Sequence, residues 1–182
     1  MITYNTSNTD SDLQQILNLQ FKNLPKNISS QEAISQGFVT VHHDFDLLKK
    51  MNRPYPHIVA RDEEKTIGYT LVMLRSFEKE TPVLIPMFEQ INSTLYKGKK
   101  LGEAKYFIMG QVCIDKAYRG QGIFKGLYGE LKKRMSPHFD YIITEVATRN
   151  SRSMRAHEKI GFENIHQYKA GEEWVILLWS LK

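Results

Sequence analysis

Two glycines, Gly120 and Gly122, stand between an apolar run and an amphipathic helical pattern, and this arrangement constrains the fold more than any other feature. Residues 106–114 form a nearly continuous apolar run, which is typical of a buried strand. From Ile123 to Met135, apolar side chains recur at helical spacing. Because glycine accepts backbone angles that other residues avoid, the pair predicts a tight turn that joins the strand directly to the helix.

The other segments extend this unit into a mixed sheet covered by helices. A buried strand is predicted at 141–146, and a helix at 151–160 ends at Gly161. Hairpins at both ends of the chain, with a strand–helix–strand–helix unit between them, favour a three-layer α/β or α+β domain with a mostly antiparallel sheet. The remaining predicted strands are 2–4, 38–41, 57–61, 66–74, 163–168 and 174–181. The remaining predicted helices are 10–24, 29–36, 45–51 and 82–96, and Pro86 argues for a late start of the last one.

The length of 182 residues and the single cysteine, Cys113, limit how the chain is organised. Division into two domains would leave two small cores, so we expect one domain over residues 1–182. A single cysteine excludes an internal disulfide framework and favours a reducing compartment. The first residues lack the features of a signal peptide, and no apolar run approaches the roughly 20 residues that span a bilayer. We therefore expect a cytoplasmic protein with no membrane partner.

Positive charge is concentrated in one segment of the chain. Residues 97–160 contain 14 lysines and arginines against 6 acidic residues, a net of +8, whereas residues 1–96 carry a net of −2. Such a segment indicates an anionic partner, and a phosphorylated cofactor, a nucleic acid and a lipid headgroup are all compatible with charge alone. A solvated basic helix face is the remaining alternative.

The glycine turn is suited to a phosphate group. Main-chain N–H groups at the start of the following helix lack partners within the helix, and the helix dipole attracts negative charge there. Two familiar phosphate loops are excluded, because the dinucleotide fingerprint would need glycine where Lys125 stands and the P-loop tripeptide Gly-Lys-Ser/Thr is absent from the sequence. For two glycines considered alone, an ordinary strand-to-helix turn remains the alternative.

Two motifs together resemble those of the GNAT superfamily of N-acetyltransferases. The first is the cofactor motif Arg/Gln-x-x-Gly-x-Gly/Ala after a strand that ends in apolar-x-apolar-Asp, matched here by VCID at 112–115 and YRGQG at 118–122. The second is an asparagine before a helix that ends in Glu-Lys-x-Gly-Phe, matched by Asn150 and by EKIGF at 158–162. The resemblance covers residues 106–182 well and the first half of the chain only in its element order.

This resemblance implies a fold and a cofactor. The fold would be a single-domain three-layer sandwich around a mixed, mostly antiparallel sheet of about seven strands, in which parallel strands at 106–114 and 141–147 splay apart to hold acetyl-CoA. Main-chain groups of 112–114 would bind the pantetheine arm and polarise the thioester, and N–H groups of 120–124 would bind the pyrophosphate. The implied cofactor-binding residues are Val112, Cys113, Ile114, Arg119, Gly120, Gln121, Gly122, Ile123, Phe124 and Asn150.

The resemblance also implies direct attack of an amine on the thioester, which needs a base for the amine and an acid for the departing thiolate. His157 stands where many family members carry a tyrosine acid, and imidazole titrates near neutral pH. Tyr118 is a second candidate acid, and Glu145, on the strand after the glycine helix, is a candidate base. A packing role or a solvent-facing position is the alternative for each. Phe124 replaces the usual small residue at the end of the cofactor motif.

The sequence is compatible with three functions. An enzyme that acetylates a primary amine of a small molecule or peptide is the leading hypothesis, and a non-catalytic acyl-CoA-binding sensor is the alternative that His157 permits. A nucleic-acid-binding domain is the third, but the aromatic residues at 106–107 lie in an apolar strand, so no nucleic-acid partner is expected.

His42 and His43 lack companions at metal-ligand spacing, so no metal site is expected. The last two strands often mediate homodimers in relatives, and the acceptor amine is not identified.

Overall fold

The protein is represented by a computed structural model that describes residues 1–31, 39 and 41–182. The predicted helix at 29–36 and strand at 38–41 therefore lie largely outside the described residues. The strands are β1 (Ile2–Thr6), β2 (Ile58–Asp62), β3 (Lys65–Met73), β4 (Leu95–Tyr96), β5 (Lys99–Lys100), β6 (Tyr106–Ile114), β7 (Tyr141–Ala147), β8 (Glu163–Ala170) and β9 (Glu172–Ser180). The α-helices are α1 (Asp10–Lys22), α2 (Phe45–Asn52), α3 (Ile85–Ser93), α4 (Ile123–Met135) and α5 (Ser151–Lys159).

Seven strands form one mixed sheet in the order β1-β2-β3-β6-β7-β9-β8, and β4 and β5 form a separate hairpin. The pairs β1–β2, β2–β3, β7–β9 and β8–β9 are antiparallel, whereas β6 and β7 run parallel. The prediction of a mixed, mostly antiparallel sheet of about seven strands is confirmed.

The parallel pair is joined over a short stretch. The ladder runs from Tyr106 opposite Tyr141 to Ile108 opposite Ile143, and the Thr144 hydroxyl then donates to the Met109 carbonyl at 3.0 Å. β6 has nine residues and β7 has seven, so the recorded ladder occupies only the first three residues of each strand. This short ladder agrees with the splayed parallel pair that the resemblance implies.

The chain divides into two compact units. The first contains residues 1–72 and 110–134, and the second contains residues 73–109 and 135–182. β6 contributes residues to both units, because the division falls after Met109. Residues 1–182 as a single domain stay a prediction.

In the first unit, α1 begins at a capping box and buries one apolar face. The Thr9 side chain accepts a hydrogen bond from the Asp12 N–H at 3.1 Å, and the Asp12 carboxylate accepts one from the Thr9 N–H at 3.0 Å. These bonds satisfy donors that a helix start leaves unpaired. Leu13, Ile16 and Tyr69 are buried in one apolar cluster that also includes residues of β2, β3 and β6. The helix is therefore fixed by both its cap and its core.

In the second unit, β7 and β9 form a buried antiparallel pair with α5 against one face. The register runs from Tyr141 opposite Ser180 to Ala147 opposite Trp174. Ile142 is buried, and its partner Trp179 packs against Phe162, with the ring centroids 5.6 Å apart. Phe162 follows α5 in the chain, so this contact anchors the helix to the sheet.

The helix predicted at 82–96 is shorter in the structure, and its late start agrees with the position of Pro86. The α-helix begins only at Ile85, after a 3₁₀ turn at Pro82–Leu84, and ends at Ser93. Thr94 N–H closes it by donating to the Gln90 and Ile91 carbonyls, and the chain then enters the β4–β5 hairpin. Lys97 and Gly98 form the two-residue hairpin turn, and both have positive φ angles. Asparagine or glycine usually occupies such positions, so the turn is not evident from Lys97.

Candidate active site

The turn between β6 and α4 requires glycine at two positions. Gly120 and Gly122 have φ angles of +81° and +79°, in the left-handed region where a side chain is strained. Beyond the adjacent residues, a Cβ atom at either position would meet no described atom within 4 Å. Glycine is therefore required here by backbone conformation rather than by crowding, and the space beside both Cα atoms remains open to a ligand.

The start of α4 presents main-chain donors beside this open space. The hydrogen bond from the Gly126 N–H to the Gly122 carbonyl, at 3.1 Å, lies at the start of α4. The N–H groups just before it have no acceptor within the helix. Lys125 is exposed in the same turn, and the positive end of the 13-residue helix dipole adds to its charge. These features suit a phosphate group.

Asp115 holds the segment that leads into the turn. Its carboxylate accepts a hydrogen bond from the Ala117 N–H at 3.1 Å and lies 3.0 Å from the Lys65 Nζ. Its own N–H donates to the Ile67 carbonyl on β3 at 2.8 Å. The aspartate of the VCID motif therefore anchors the end of β6 and starts the short 3₁₀ helix that precedes the glycines.

The Tyr118 side chain is held by a neighbouring strand. Its hydroxyl donates to the Asp62 carboxylate at 3.1 Å, and the Lys65 Nζ lies 5.2 Å from its ring centroid. The hydrogen bond to Asp62 raises the pKa of Tyr118. This predicted candidate acid is therefore a neutral phenol whose proton is directed at a carboxylate.

The Arg119 guanidinium fastens the glycine turn to α1. Its Nε donates to the Ile114 carbonyl at 3.2 Å, and a terminal nitrogen donates to the Asn23 side chain at 2.6 Å. Asn23 is the C-cap residue of α1. The contacts show how this motif arginine shapes the turn, while direct contact with a cofactor stays a prediction.

Alternate residues at the end of β6 face the core. Cys113 is buried, whereas Val112 and Ile114 are half-buried. Burial raises the pKa of the Cys113 thiol to about 12, so the sulfur stays protonated near neutral pH and is a poor nucleophile. The strand is therefore suited to offering main-chain groups rather than a reactive side chain.

A buried polar network fixes this part of β6 to the rest of the first unit. The Gln111 side-chain oxygen accepts hydrogen bonds from the Tyr69 hydroxyl at 2.5 Å and from the Gln20 amide at 2.6 Å. The Gln111 amide donates to the Val41 carbonyl at 2.8 Å, and the Gln20 amide lies 3.0 Å from the His43 Nδ1. One glutamine on β6 thus connects α1, β3 and the chain before α2.

The Phe124 ring, at the position where the motif usually has a small residue, packs along its own helix. Its centroid lies 4.8 Å from that of Tyr128, which is fully buried. Phe124 itself is half-buried. The bulk of the ring is directed along α4, which leaves the main-chain donors of the turn compatible with a phosphate.

In the second unit, Asn150 caps α5. Its side-chain oxygen accepts a hydrogen bond from the Ser153 N–H at 3.2 Å, and its own N–H donates to the Ala147 carbonyl at 2.8 Å. This asparagine therefore places the start of α5 directly after β7. Its predicted contact with the cofactor arm stays a prediction.

Glu145 is half-buried on β7 and is hydrogen-bonded to a residue of β8. The Tyr168 hydroxyl donates to the Glu145 Oε2 at 2.5 Å. Burial raises the pKa of Glu145, and the Tyr168 hydrogen bond lowers it by a smaller amount, so the carboxyl titrates above its ordinary range. A carboxylate with a raised pKa is a stronger base near neutral pH.

One further polar side chain stacks on Tyr168, and a second contacts that one. The His166 ring stacks on the Tyr168 ring at 6.3 Å between centroids, with 11° between the planes. His166 Nε2 lies 3.1 Å from the side-chain oxygen of Gln90, on α3. The chain thus places a polar row on this face of the second unit, from α3 through β8 to β7.

His157 is enclosed by its surroundings. The side chain is 1% exposed, its Nδ1 lies 2.8 Å from the Ser153 carbonyl, and its ring meets Phe162 edge to face at 5.0 Å. Burial lowers the pKa of His157 to about 4, and the Ser153 carbonyl opposes that shift only in part. Near neutral pH the imidazole is therefore uncharged, with its proton on the nitrogen that faces the carbonyl. These findings weigh against the predicted acid role, which stays a prediction.

Glu145 and His157 belong to opposite faces of the second unit's strands. Ile142 and its partner Trp179 lie on the face covered by α5, where Phe162 and His157 pack. Because successive side chains on a strand alternate in direction, Glu145 points to the other face. A base and an acid at these positions would act from two sides of the sheet.

The predicted site residues therefore fall into two groups. The first unit gathers residues 112–114, Tyr118 and residues 119–124 around one turn, and the second unit holds Glu145, Asn150 and His157. Sequence reasoning missed Tyr168, His166 and Gln90. Only the registers of β8 and β7 against β9 bring the first of these to Glu145, and no local pattern signals them.

The described residues contain no cluster of three or more histidine, cysteine or acidic side chains that could hold a metal ion. In the same part of the chain, no helix has both the length and the apolar character needed to cross a membrane. A cavity of about 350 Å³ in the second unit is lined by residues that include Tyr96, Lys97, Lys100 and Tyr141, and it shares no residue with the predicted site.

Residues 13–162 match the acetyltransferase (GNAT) family. A search of curated proteins finds no match to the chain.

Several solved structures share the fold. The ribosomal-protein-S18-alanine N-acetyltransferase from Escherichia coli has a TM-score of 0.65 at 12% identity, with 100% of this chain and 95% of that chain covered. A putative acetyltransferase, yncA, from Salmonella typhimurium, solved with its cofactor acetyl-CoA, has a TM-score of 0.65 at 14% identity, over 100% and 94% of the two chains. Arabidopsis thaliana NAA60 in complex with acetyl-CoA has a TM-score of 0.65 at 18% identity, over 99% of each chain.

Proposed function

The chain belongs to the GNAT family of acetyltransferases, and from that premise we propose that it transfers an acetyl group from acetyl-CoA to a primary amine of a small molecule or peptide. The observation that carries this proposal is the open glycine turn at the start of α4. Its two left-handed glycines and the donors of the first helical turn suit a pyrophosphate. The bound cofactor supplies an activated acetyl thioester whose sulfur departs as the amide forms.

The first unit supplies the cofactor contacts in this proposal. N–H groups of residues 120–124 bind the pyrophosphate, and the exposed Lys125 adds positive charge beside it. Main-chain groups of Val112, Cys113 and Ile114 bind the pantetheine arm and polarise the thioester carbonyl. Arg119 keeps the turn in place through its bonds to Ile114 and Asn23. Asn150 contacts the cofactor arm in this proposal.

Glu145 is the proposed base. It removes a proton from the ammonium form of the acceptor, so that a neutral amine attacks the thioester. The half-buried carboxylate accepts a hydrogen bond at Oε2, and no described residue is hydrogen-bonded to Oε1, which we assign to the amine. Its raised pKa brings the carboxyl closer to the pH at which general-base catalysis is most effective.

The departing sulfur has two candidate proton donors, His157 and Tyr118. Each is constrained, because His157 is buried and uncharged and the Tyr118 hydroxyl donates to Asp62. A thiolate is a comparatively stable leaving group, since thiols ionise near pH 8.5. We therefore assign most of the proton-transfer catalysis to Glu145.

The test is release of free thiol from acetyl-CoA against a panel of primary amines and N-terminal peptides, with the acetylated product identified by mass spectrometry. Thiol release that depends on the amine and yields an N-acetyl product supports the proposal. Binding of CoA by calorimetry without thiol release on any amine contradicts it.

A non-catalytic acyl-CoA sensor is the second candidate. The observation that favours it is His157, which is buried where many family members carry a tyrosine acid. The same experiment separates the two, because a sensor binds acetyl-CoA without releasing thiol.

A further inference from the structure

Tyr168 reaches Glu145 across an intervening strand. Tyr168 pairs with Trp174 on β9, and Trp174 pairs with Ala147 on β7, two residues beyond Glu145. All these side chains share one face, since paired residues point the same way and Glu145 and Ala147 are two apart. β8 and β7 are two strand spacings apart, or roughly 10 Å. Two long side chains are needed to close that distance, and their oxygens meet at 2.5 Å.

We propose that Tyr168 is a positioning residue for the acetyl transfer: its hydroxyl holds the Glu145 carboxylate in one orientation and keeps it ionised for the acceptor amine. The inference rests on the proposed function, because it assigns Glu145 as the base. It adds a residue that belongs to neither sequence motif and that lies outside the turn that binds the cofactor.

Two opposing effects act on the Glu145 carboxyl. Burial raises the pKa of Glu145, and the Tyr168 hydrogen bond is the effect that opposes this rise. Removing the phenol oxygen leaves burial unopposed, so the pKa of Glu145 rises further. Glu145 would then be protonated, and unable to act as a base, over a wider range of pH.

Among the groups around the pair, the Tyr168 hydroxyl is the one that acts on the pKa of the Glu145 carboxyl. From β9, the residue paired with Glu145 is the apolar Ile176. From β8, His166 stacks on Tyr168, and from α3 the neutral Gln90 faces His166. Among the described residues, burial and Tyr168 account for the pKa shift of Glu145.

The Tyr168 phenol keeps its proton throughout the reaction, because burial and the Glu145 carboxylate both raise the pKa of Tyr168. One N–H bond of the acceptor ammonium breaks as an O–H bond forms on Glu145 Oε1, while the Tyr168 hydroxyl continues to donate to Oε2. The neutral amine then forms the C–N bond as the C–S bond breaks, and the second proton lost by nitrogen balances the one that the thiolate takes up. The carboxyl returns its proton to solvent after the amide forms.

The experiment compares Tyr168→Phe with a matched control, Tyr96→Phe. The Tyr96 hydroxyl also donates to a carboxylate, that of Glu163, at 3.3 Å and on the surface. Two quantities are measured for each: the titration midpoint of Glu145 by carboxyl NMR of the free protein, and the acidic limb of the pH profile of kcat/KM. Circular dichroism checks folding.

In Tyr168→Phe, both the Glu145 midpoint and the acidic limb should move to higher pH. At a fixed pH on the acidic side of the profile, kcat/KM should fall about tenfold for every pH unit by which the acidic limb moves. Raising the pH should restore the rate. Tyr96→Phe should leave both quantities unchanged. Placing 3-fluorotyrosine, a more acidic phenol, at position 168 should move both to lower pH, and this variant serves if Tyr168→Phe does not fold.

An unchanged Glu145 midpoint in Tyr168→Phe overturns the proposal, and so does a shifted midpoint with an unshifted acidic limb. Failure of the proposed function gives a different result, since no amine then releases thiol in the wild-type protein while the NMR titration still reports the pair. Failure of Glu145 as base is also distinct, because Glu145→Gln would then retain full activity.

Discussion

The Tyr168 hydroxyl donates a 2.5 Å hydrogen bond to the Glu145 carboxylate, although the strands that carry the two residues are separated by a third. A half-buried carboxylate without a partner would be costly. The phenol supplies that partner at Oε2, and no described residue is hydrogen-bonded to the second carboxylate oxygen. The arrangement gives the base proposed at Glu145 the supporting contact that a precisely placed functional group needs.

Glu145→Gln removes the proposed base with little change in shape. We expect kcat/KM to fall by about 10²–10⁴-fold, the usual contribution of a general base. Affinity for CoA, measured by calorimetry, should be unchanged, because the turn proposed to bind the cofactor consists of other residues. The matched control is Glu163→Gln, which removes an exposed carboxylate that also accepts a tyrosine hydrogen bond. Equal rates in the two variants would exclude Glu145 as the base.

Gly122→Asp tests the cofactor turn. The variant places a strained backbone and a negative charge in the space proposed for the pyrophosphate, so CoA affinity should fall at least about tenfold, or about 1.4 kcal/mol. Gly98→Asp is the matched control, since Gly98 has nearly the same φ of +80° and no described atom within 4 Å of an added Cβ. It should retain wild-type affinity. Retained affinity in Gly122→Asp would remove the pyrophosphate from this turn.

His157→Gln tests the acid. Because the imidazole is buried and uncharged near neutral pH, we expect kcat to fall by less than about tenfold, well short of the loss that a general acid would cause. The glutamine amide can still donate to the Ser153 carbonyl. Steady-state kinetics with acetyl-CoA and the best amine give the answer. A loss of about a hundredfold with unchanged CoA affinity would establish His157 as the acid.

Tyr118→Phe tests the second candidate acid. The hydroxyl already donates to Asp62, so its loss should change kcat by less than about threefold, a change of under about 1 kcal/mol. The ring and its contact with Lys65 are kept in the variant. Retention of CoA affinity with a large fall in kcat would instead assign the proton to Tyr118.

Stability should decline in mild acid because three histidines are buried uncharged. Burial lowers the pKa of His43 and of His157 to about 4, and that of His57 to about 3. As pH falls below 6.5, these histidines take up protons in the unfolded chain but stay uncharged in the folded protein. The free energy of unfolding therefore falls until pH reaches the pKa values of the folded state. Above pH 6.5 this contribution is complete.

Denaturation by urea between pH 7 and pH 4 measures that decline. His157→Gln removes one titrating imidazole. The slope of the free energy of unfolding against pH should therefore decrease by up to about 1.4 kcal/mol per pH unit. His138→Gln, at an exposed histidine, is the control for loss of an imidazole. An unchanged slope in His157→Gln would show that His157 titrates alike in both states.

Most of the secondary structure followed from local patterns. Apart from the helix predicted at 82–96, the predicted elements within the described residues agree with the structure to within two residues, and α4 was predicted from Ile123 to Met135 as found. The β4–β5 hairpin was missed because Lys97 occupies a left-handed position that lysine rarely adopts. Such a conformation is imposed by the surrounding structure, and residue type does not reveal it.

The sequence alone determined the glycine turn, the strand before it and the helix after it, because backbone angle, capping and apolar spacing depend on residues a few positions apart. It also placed Glu145 and His157 on the right elements. Only the tertiary structure decided that Glu145 meets Tyr168 and that His157 is enclosed by Phe162 and the Ser153 carbonyl. Strand register and packing bring distant residues together, and burial then decides which of them can carry a charge.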